Sequence, residues 1–315
     1  MIKEILEKIK NADSIIIIGH TSPDGDCLGC QFGLKEIIKE NFKKEVYVAG
    51  EASVSLAFMG KLDDLSDDVF KRSLVVLTDV ANEARIGDKR YKLALDIVKI
   101  DHHPYSDHTG SSLYVDTEVS SASEIIARIA MENNLVINEK AANSLLTGII
   151  TDSGGFRYSG VSSNTMKIAA YLLECGADIV RLNKMIAKVT FNELKVKGFV
   201  IENMKRTEVG FVYCYISKKT REEYNVSYEE ASNALDVLGN IYNCPVWALL
   251  LEVDNEIRVR LRSSGPIINI IATKYRGGGH PLASGCYLDK IDDVYEFSRK
   301  IDDLIREYRK KNKEE

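Results

Sequence analysis

Carboxylates and imidazoles gather in short loops in the first half of the sequence, most of them after an aliphatic run. "IIIIGHTSPDGD" carries His20, Asp24 and Asp26; "LTDV" carries Asp79; "IDHHP" carries Asp101, His102 and His103; "TGIITDSGGFRYS" carries Asp152. The chain has five histidines; three lie in these loops and a fourth in "GGGH". Each group alone has a plain role: "SPDGD" is an ordinary turn, a single Asp after a strand is a helix N-cap, and "DHH" is a surface loop. Together they pose an electrostatic problem. Two carboxylates ~4 Å apart repel by roughly 4 kcal/mol at an effective dielectric of 20. Several converging on one place must take up protons or be neutralised by divalent cations. Imidazoles among the carboxylates favour cations, and mixed nitrogen and oxygen donors suit transition ions such as manganese better than zinc. The candidate ligands exceed what one four-coordinate ion takes. They suit two ions ~3.5–4 Å apart, the arrangement for in-line attack of water at phosphorus.

A parallel sheet is what would bring such loops together. "SIIIIGH" (14–20), "SLVVLTD" (73–79) and "DIVKIDHH" (96–103) are β-type runs, apolar on both faces as a covered parallel sheet requires. Helical patterns occupy 27–42, 121–134, 139–151 and 163–177. The order is that of an α/β fold with a mostly parallel, doubly wound sheet and helices on both faces. Loops after the carboxyl ends of such strands share one edge, where ligands bind. Residues 1–182 form this domain and 183–207 a helical connection. Residues 208–315 form a smaller α+β domain, with a hairpin over 246–262 turning at Asp254-Asn255, the glycine loop "RGGGH" and a terminal helix. The last residues, "REYRKKNKEE", read as a frayed tail.

Composition sets further bounds. A chain of 315 residues, 45% hydrophobic and 28% charged, is ordinary for a globular protein of two domains. "MIKEILEKIKNAD" reads as an amphipathic helix, unlike a signal peptide, and no apolar run reaches the ~18 residues of a membrane span, so a cytoplasmic protein with no membrane partner is expected. A net charge of −5 argues against a protein tracking long duplex nucleic acid by its phosphates. Cys27 and Cys30 form a lone C-x-x-C with no second pair for a tetrahedral metal site, and read as small side chains packing a helix on the sheet.

Within residues 256–280, five basic residues face one acid, Glu256. Arg258, Arg260 and Arg262 alternate with Val259 and Leu261 and so share one strand face. A solvated face accounts for the first two; Arg262, before "SSG", is placed for bidentate contact with an oxyanion. The glycines of "GGGH" let backbone amides approach an anion closely. Arg157, close after Asp152, is in range to stabilise transition-state charge or to serve packing. His108 reads as a surface residue.

"GHTSPDGDCLG", "LTDV", "IDHHP" and "TDSGGFRYS", in this order, resemble the four motifs of the DHH phosphoesterase superfamily, and "RSSG" with "RGGGHPLASG" resembles its DHH-associated domain. The likeness runs from about residue 14 to 288 and is nearest to the branch of nanoRNases and pAp phosphatases. It implies that His20 and Asp24 hold one manganese, that Asp79 bridges to a second, and that Asp26, His102 and Asp152 complete the second ion's ligand shell, with magnesium or cobalt as substitutes. It implies that Asp101 orients His102 through its other ring nitrogen, and that His103 faces the substrate. Arg262, Ser263, Gly278, Gly279 and His280 would grip the substrate's other end, and the second domain would close over it. The implied substrates are short RNA oligonucleotides and pAp, with cyclic di-AMP or the linear dinucleotide pApA as the alternative; pyrophosphate cleavage and a non-catalytic sensor come after these. Relatives are often dimers, which leaves a homodimer open.

Overall fold

The isoleucine run becomes a central strand. In the computed structural model, which describes residues 2–104, 107–158, 160–254 and 256–312, the chain forms two units, Met1–Lys188 and Val189–Glu315. The first starts with α1 (Ile2–Asn11), β1 (Ser14–Ile18), α2 (Gly25–Phe42) and β2 (Glu45–Ala49). It continues through α3 (Asp67–Lys71), β3 (Leu74–Thr78), β4 (Asp96–Asp101) and β5 (Ser112–Val115). It ends with α4 (Ala122–Glu132), α5 (Glu139–Asp152), α6 (Ser163–Glu174) and α7 (Ile179–Ile186).

The strands pair in parallel in the order β2-β1-β3-β4-β5. The order reverses between β1 and β3, so their carboxyl ends diverge into a crevice, as at the switch point of a doubly wound sheet. Ile15 and Ile17 pack on one face with α1, α2, α4 and α5; Ile16 and Ile18 pack on the other with Phe70 of α3 and with Ile86 and Tyr91. Burying each such side chain contributes roughly 1.5–3 kcal/mol. The second face is therefore covered by one short helix and by turns, where the sequence suggested full helical layers. β2 and β5, short and half polar, add two strands that apolar runs alone did not indicate.

Glycines set the closest helix contact. Gly25, Gly29 and Gly33, four residues apart, line one face of α2. A Cβ at Gly29 would lie 2.7 Å from the Ser144 carbonyl oxygen, and one at Gly33 would lie 2.6 Å from Leu145 Cγ. A Cβ at Gly25 would lie 2.5 Å from Thr151 Cγ2. The stripe lets α5 lie against α2 and delivers Asp152, its last residue, beside the start of α2.

The second unit contains α8 (Phe191–Asn203), β6 (Lys205–Arg206), β7 (Phe211–Ile216), α9 (Lys218–Glu223), α10 (Tyr228–Ser232), β8 (Val246–Val253) and β9 (Glu256–Ser263). It closes with α11 (Asn269–Ala272), β10 (Gly278–His280), β11 (Ala283–Leu288) and α12 (Val294–Asn312). Its mixed sheet runs β10-β11-β9-β8-β7-β6, with only β7 and β8 parallel among the pairs described. Val196 and Val200 of α8 pack into this sheet, so that part of the helical stretch belongs to the second unit's core. β8 and β9 form the expected hairpin; Asn255 of its turn lies outside the described residues. The terminal helix stays regular through Asn312, longer than the expected frayed tail allowed; Lys313–Glu315 lie outside the described residues. Among the described residues no helix is long and apolar enough to cross a membrane.

Candidate metal centre

His20 follows β1 and is buried. Its Nδ1–H donates to the Thr21 carbonyl at 2.8 Å, which turns Nε2 toward the carboxylates. That nitrogen lies 3.6 Å from Asp24 Oδ2 and 3.5 Å from Asp79 Oδ2. Asp24 serves two purposes. Its Oδ1 caps α2 by accepting from the amides of Asp26 (3.1 Å) and Cys27 (3.0 Å), while Oδ2 faces His20.

Asp26, in the first turn of α2, is fully buried. Its Oδ2 accepts from the Ala122 amide at 2.7 Å and its Oδ1 from the Ser123 amide at 2.9 Å. Asp79 follows β3 in the left-handed region (φ 55°) and its amide donates to the Ile100 carbonyl at 3.1 Å. That strained conformation at a non-glycine residue turns the carboxylate toward the neighbouring imidazoles. Asp79 Oδ1 is buried without a hydrogen bond; it lies 3.4 Å from His102 Nε2 and 3.5 Å from His103 Nδ1. His102 Nε2 is also 3.4 Å from Asp152 Oδ2.

Among the described residues, three sets each bring their ligand atoms within 4.8 Å of one another: Asp26, His102 and Asp152; Asp79, His102 and His103; His20, Cys27 and Asp79. The structure thus brings His20, Asp24, Asp26, Asp79, His102 and Asp152 into one cluster. Cys27 was read as packing. It is buried, its thiol donates to the His20 carbonyl at 3.9 Å, and burial together with Asp79 and Asp24 pushes its pKa up, so the neutral thiol is a weak ligand.

One expected partner is corrected. Asp101 Oδ1 accepts from Nδ1–H of His103 at 2.8 Å and touches His102 only through the backbone amide, at 2.9 Å. Asp101 therefore orients the ring of His103 and not that of His102. The turn after β4 folds the second imidazole back over the carboxylate, while the first points to Asp79 and Asp152.

The charges are out of balance in a way a cation would correct. Burial, then the charge of Asp79, raises Asp26 to about 6. Burial, then Asp26, raises Asp152 to about 8; its place at the negative end of α5 works in the same direction. Burial disfavours the charged rings of His20 and His102, but carboxylates outweigh it: Asp24 and Asp79 raise His20 to about 11, and Asp79 leads in raising His102 to about 10. Burial alone would raise Asp79, yet the imidazoles of His102 and His20 beside it hold it well below the usual carboxylate range. Four carboxylates, two imidazoles and an orphaned Asp79 oxygen fit divalent cations, and Asp79 turns one oxygen to His20 and the other to His102.

Other expected residues sit elsewhere. Arg157 is exposed, its Nε donates to the Gly154 carbonyl at 2.6 Å, and among the described residues it makes no ion pair with the cluster. In the second unit, Trp247, Arg262, Ala283 and His280 are successive register partners across β8, β9, β11 and β10. Gly279 has φ 129°, and a Cβ there would lie 2.7 Å from the Ala283 carbonyl. Ser263 is buried and its Oγ accepts from the Gly265 amide, so its hydroxyl shapes the turn. Arg258 is exposed, as a solvated face implies, and its guanidinium also lies over the rings of Tyr228 (5.4 Å) and Tyr287 (6.0 Å).

Two cations went unread in the sequence. Lys99 is buried in β4 with its Nζ 3.2 Å from Asp101 Oδ2. Arg85, exposed, reaches to 3.5 Å from the Thr21 carbonyl at the cluster's edge. The i, i+2 spacing of Lys99 and Asp101 on one strand was the available signal for the first.

Residues 14–149 match the DHH family, N-terminal domain, and residues 208–307 match the DHHA1 domain. The chain is 41% identical over 299 residues to a probable bifunctional oligoribonuclease and PAP phosphatase NrnA of Streptococcus mutans, covering 93% of this chain and 96% of that one. It is 36% identical over 309 residues to the bifunctional oligoribonuclease and PAP phosphatase NrnA of Bacillus subtilis, covering 97% and 99%. The crystal structure of an exopolyphosphatase-related protein from Bacteroides fragilis shares the fold, with a TM-score of 0.88 at 24% identity, covering 98% and 96%.

Proposed function

The chain belongs to the DHH family and hydrolyses phosphoester bonds, and on that premise we propose that it acts on short oligoribonucleotides and on pAp, with a pair of divalent cations, manganese first among them. The observation that carries the reading is the cluster of His20, Asp24, Asp26, Asp79, His102 and Asp152, with Asp79 facing His20 through Oδ2 and His102 through an Oδ1 that has no hydrogen bond. His20 and Asp24 would hold one cation, Asp26, His102 and Asp152 the other, and Asp79 would serve both. Bound there, the cations supply activation of the attacking water and neutralisation of phosphate charge.

The chain's own groups do the rest. The new bond joins the water oxygen to phosphorus, and the bond from phosphorus to the ribose oxygen breaks. The attacking water gives up one proton, and the leaving oxygen takes one from solvent or through Nε2 of His103, whose Nδ1–H is anchored on Asp101. Arg262, His280 and the amides of Gly278 and Gly279 offer anion-binding groups for a further nucleotide phosphate. The net charge of −5 suits a few nucleotides better than a polymer.

The test is a substrate panel with Mn2+: pAp, a trinucleotide, pApA, cyclic di-AMP and pyrophosphate. Mononucleotide or phosphate release from pAp and the trinucleotide, stopped by EDTA, is expected. Cleavage of pyrophosphate with pAp and RNA left intact would reject the reading.

A further inference from the structure

Lys99 is 4% exposed, in a strand where its register partners are Leu77 and Leu113. Lysine is almost never this buried without a partner. An apolar side chain would fill the same layer at lower cost, because an ion pair in such a place seldom gains on its hydrophobic replacement. The ammonium therefore answers a need other than packing.

That need is visible at Asp101. Its Oδ1 accepts three N–H groups: the His102 amide at 2.9 Å, the His103 amide at 3.2 Å and His103 Nδ1 at 2.8 Å. Its Oδ2 faces Lys99 Nζ at 3.2 Å. One oxygen clamps the turn that begins with His102, and the other rests on the cation.

His103 Nδ1 has a second carboxylate in reach, Asp79 Oδ1 at 3.5 Å. Which carboxylate holds that nitrogen decides what the ring does. Held by Asp101, the ring keeps its proton on Nδ1 and presents Nε2 for exchange with a substrate. Released toward Asp79, it joins the ligand set of Asp79 and His102.

We infer that Lys99 is a positioning residue: its buried ammonium fixes the Asp101 carboxylate, and through it keeps His103 turned to the substrate and away from the metal ligands. The inference rests on the reading of His103 given above, but its structural half can be measured without substrate.

The experiment compares the full chain with Lys99→Met, Lys99→Arg, Asp101→Asn and the double variant K99M/D101N, which removes both members of the buried pair and so leaves neither charge uncompensated. Kinetics on pAp use saturating Mn2+. Histidine tautomers are read from long-range 15N–1H spectra of the Mg2+-loaded proteins. Lys99→Met should lower kcat by about 10- to 100-fold with KM unchanged, Lys99→Arg should restore most of it, and the double variant should match Asp101→Asn alone. The wild type should show His103 as the Nδ1–H tautomer, and Lys99→Met a mixture. An unchanged kcat, losses that multiply in the double variant, or an intact Nδ1–H signature in Lys99→Met would overturn the assignment. If the wild type hydrolyses no nucleotide, the functional reading fails and the spectra alone decide the positioning.

Discussion

Asp26 and Ser123, 97 residues apart, meet through a hydrogen bond of 2.9 Å that docks the first turn of α2 on the N-terminus of α4. With the Ala122 amide on its other oxygen, Asp26 is both a candidate ligand and a helix anchor, whereas Asp152 is only the former. The two should part on mutation. Asp26→Ala strips two buried amides of their acceptor and should destabilise the metal-free protein by about 2–4 kcal/mol. Asp152→Asn should leave it at least as stable as the wild type at pH 8. Urea unfolding in EDTA measures both, and equal losses would remove the distinction.

The pH dependence follows from the shifts. A carboxylate whose folded pKa is raised costs stability as pH climbs from its unfolded value to its folded one, here from about 4 to 6 for Asp26 and to 8 for Asp152. A raised histidine stabilises fully below about 6.5, and that gain is lost as pH rises through the folded value, about 11 for His20 and 10 for His102. Both groups of residues act in one direction above pH 5. The Tm of the metal-free protein should fall from pH 5 to pH 9, and the increment from Mn2+ should grow over the same span. Cation binding at pH 7 should release protons, measured by calorimetry in buffers of different ionisation enthalpy. Proton uptake would contradict the proposed ligand set.

The cluster itself was legible because most of its members follow strands directly or within one turn, and strand ends of a parallel sheet converge whatever the loops do in between. Asp152, at the end of α5, is the exception. Asp24 shows why weighing single motifs misleads: it stands in what alone reads as an ordinary turn, yet it caps α2 and neighbours His20 at once, one oxygen for each. What stayed hidden depends on how a turn folds back. Nothing in "IDHH" tells which imidazole reaches Asp101, because the two rings differ by one residue and the choice is made by backbone dihedrals after β4. The burial of Lys99 depends on neighbours from β3 and β5, far away in sequence. Asp26 meets the N-terminus of α4, 97 residues on, through the Ser123 amide, a relation between helices that no local pattern encodes.

The glycine stripe gives a prediction opposite to helix propensity. Within a helix, Gly→Ala normally gains close to 1 kcal/mol. At Gly29 the new Cβ would lie 2.7 Å from the Ser144 backbone oxygen and 3.1 Å from Gly148 Cα. Backbone cannot rotate away, so α5 must move and take Asp152 with it. Gly29→Ala should destabilise by ~1–3 kcal/mol and weaken Mn2+ binding, read by denaturation and titration calorimetry. Gly198→Ala, at a helical position with open space around it, is the control and should be neutral or stabilising. A stable Gly29→Ala protein with normal Mn2+ affinity would mean that this contact does not set the cluster.

Asp79 offers the sharpest test of a shared ligand. Its left-handed backbone tolerates Asn better than Ala, so Asp79→Asn changes charge with little strain. His20 and His102 both depend on its carboxylate, one on each oxygen. Replacing a residue that merely supports a ligand costs about 10- to 100-fold in affinity, so losing a ligand common to two sites should cost at least that at each. Titration calorimetry with Mn2+ should show both binding events weakened together and turnover of pAp abolished. One event weakened with the other intact would assign Asp79 to a single cation and end its role as the bridge.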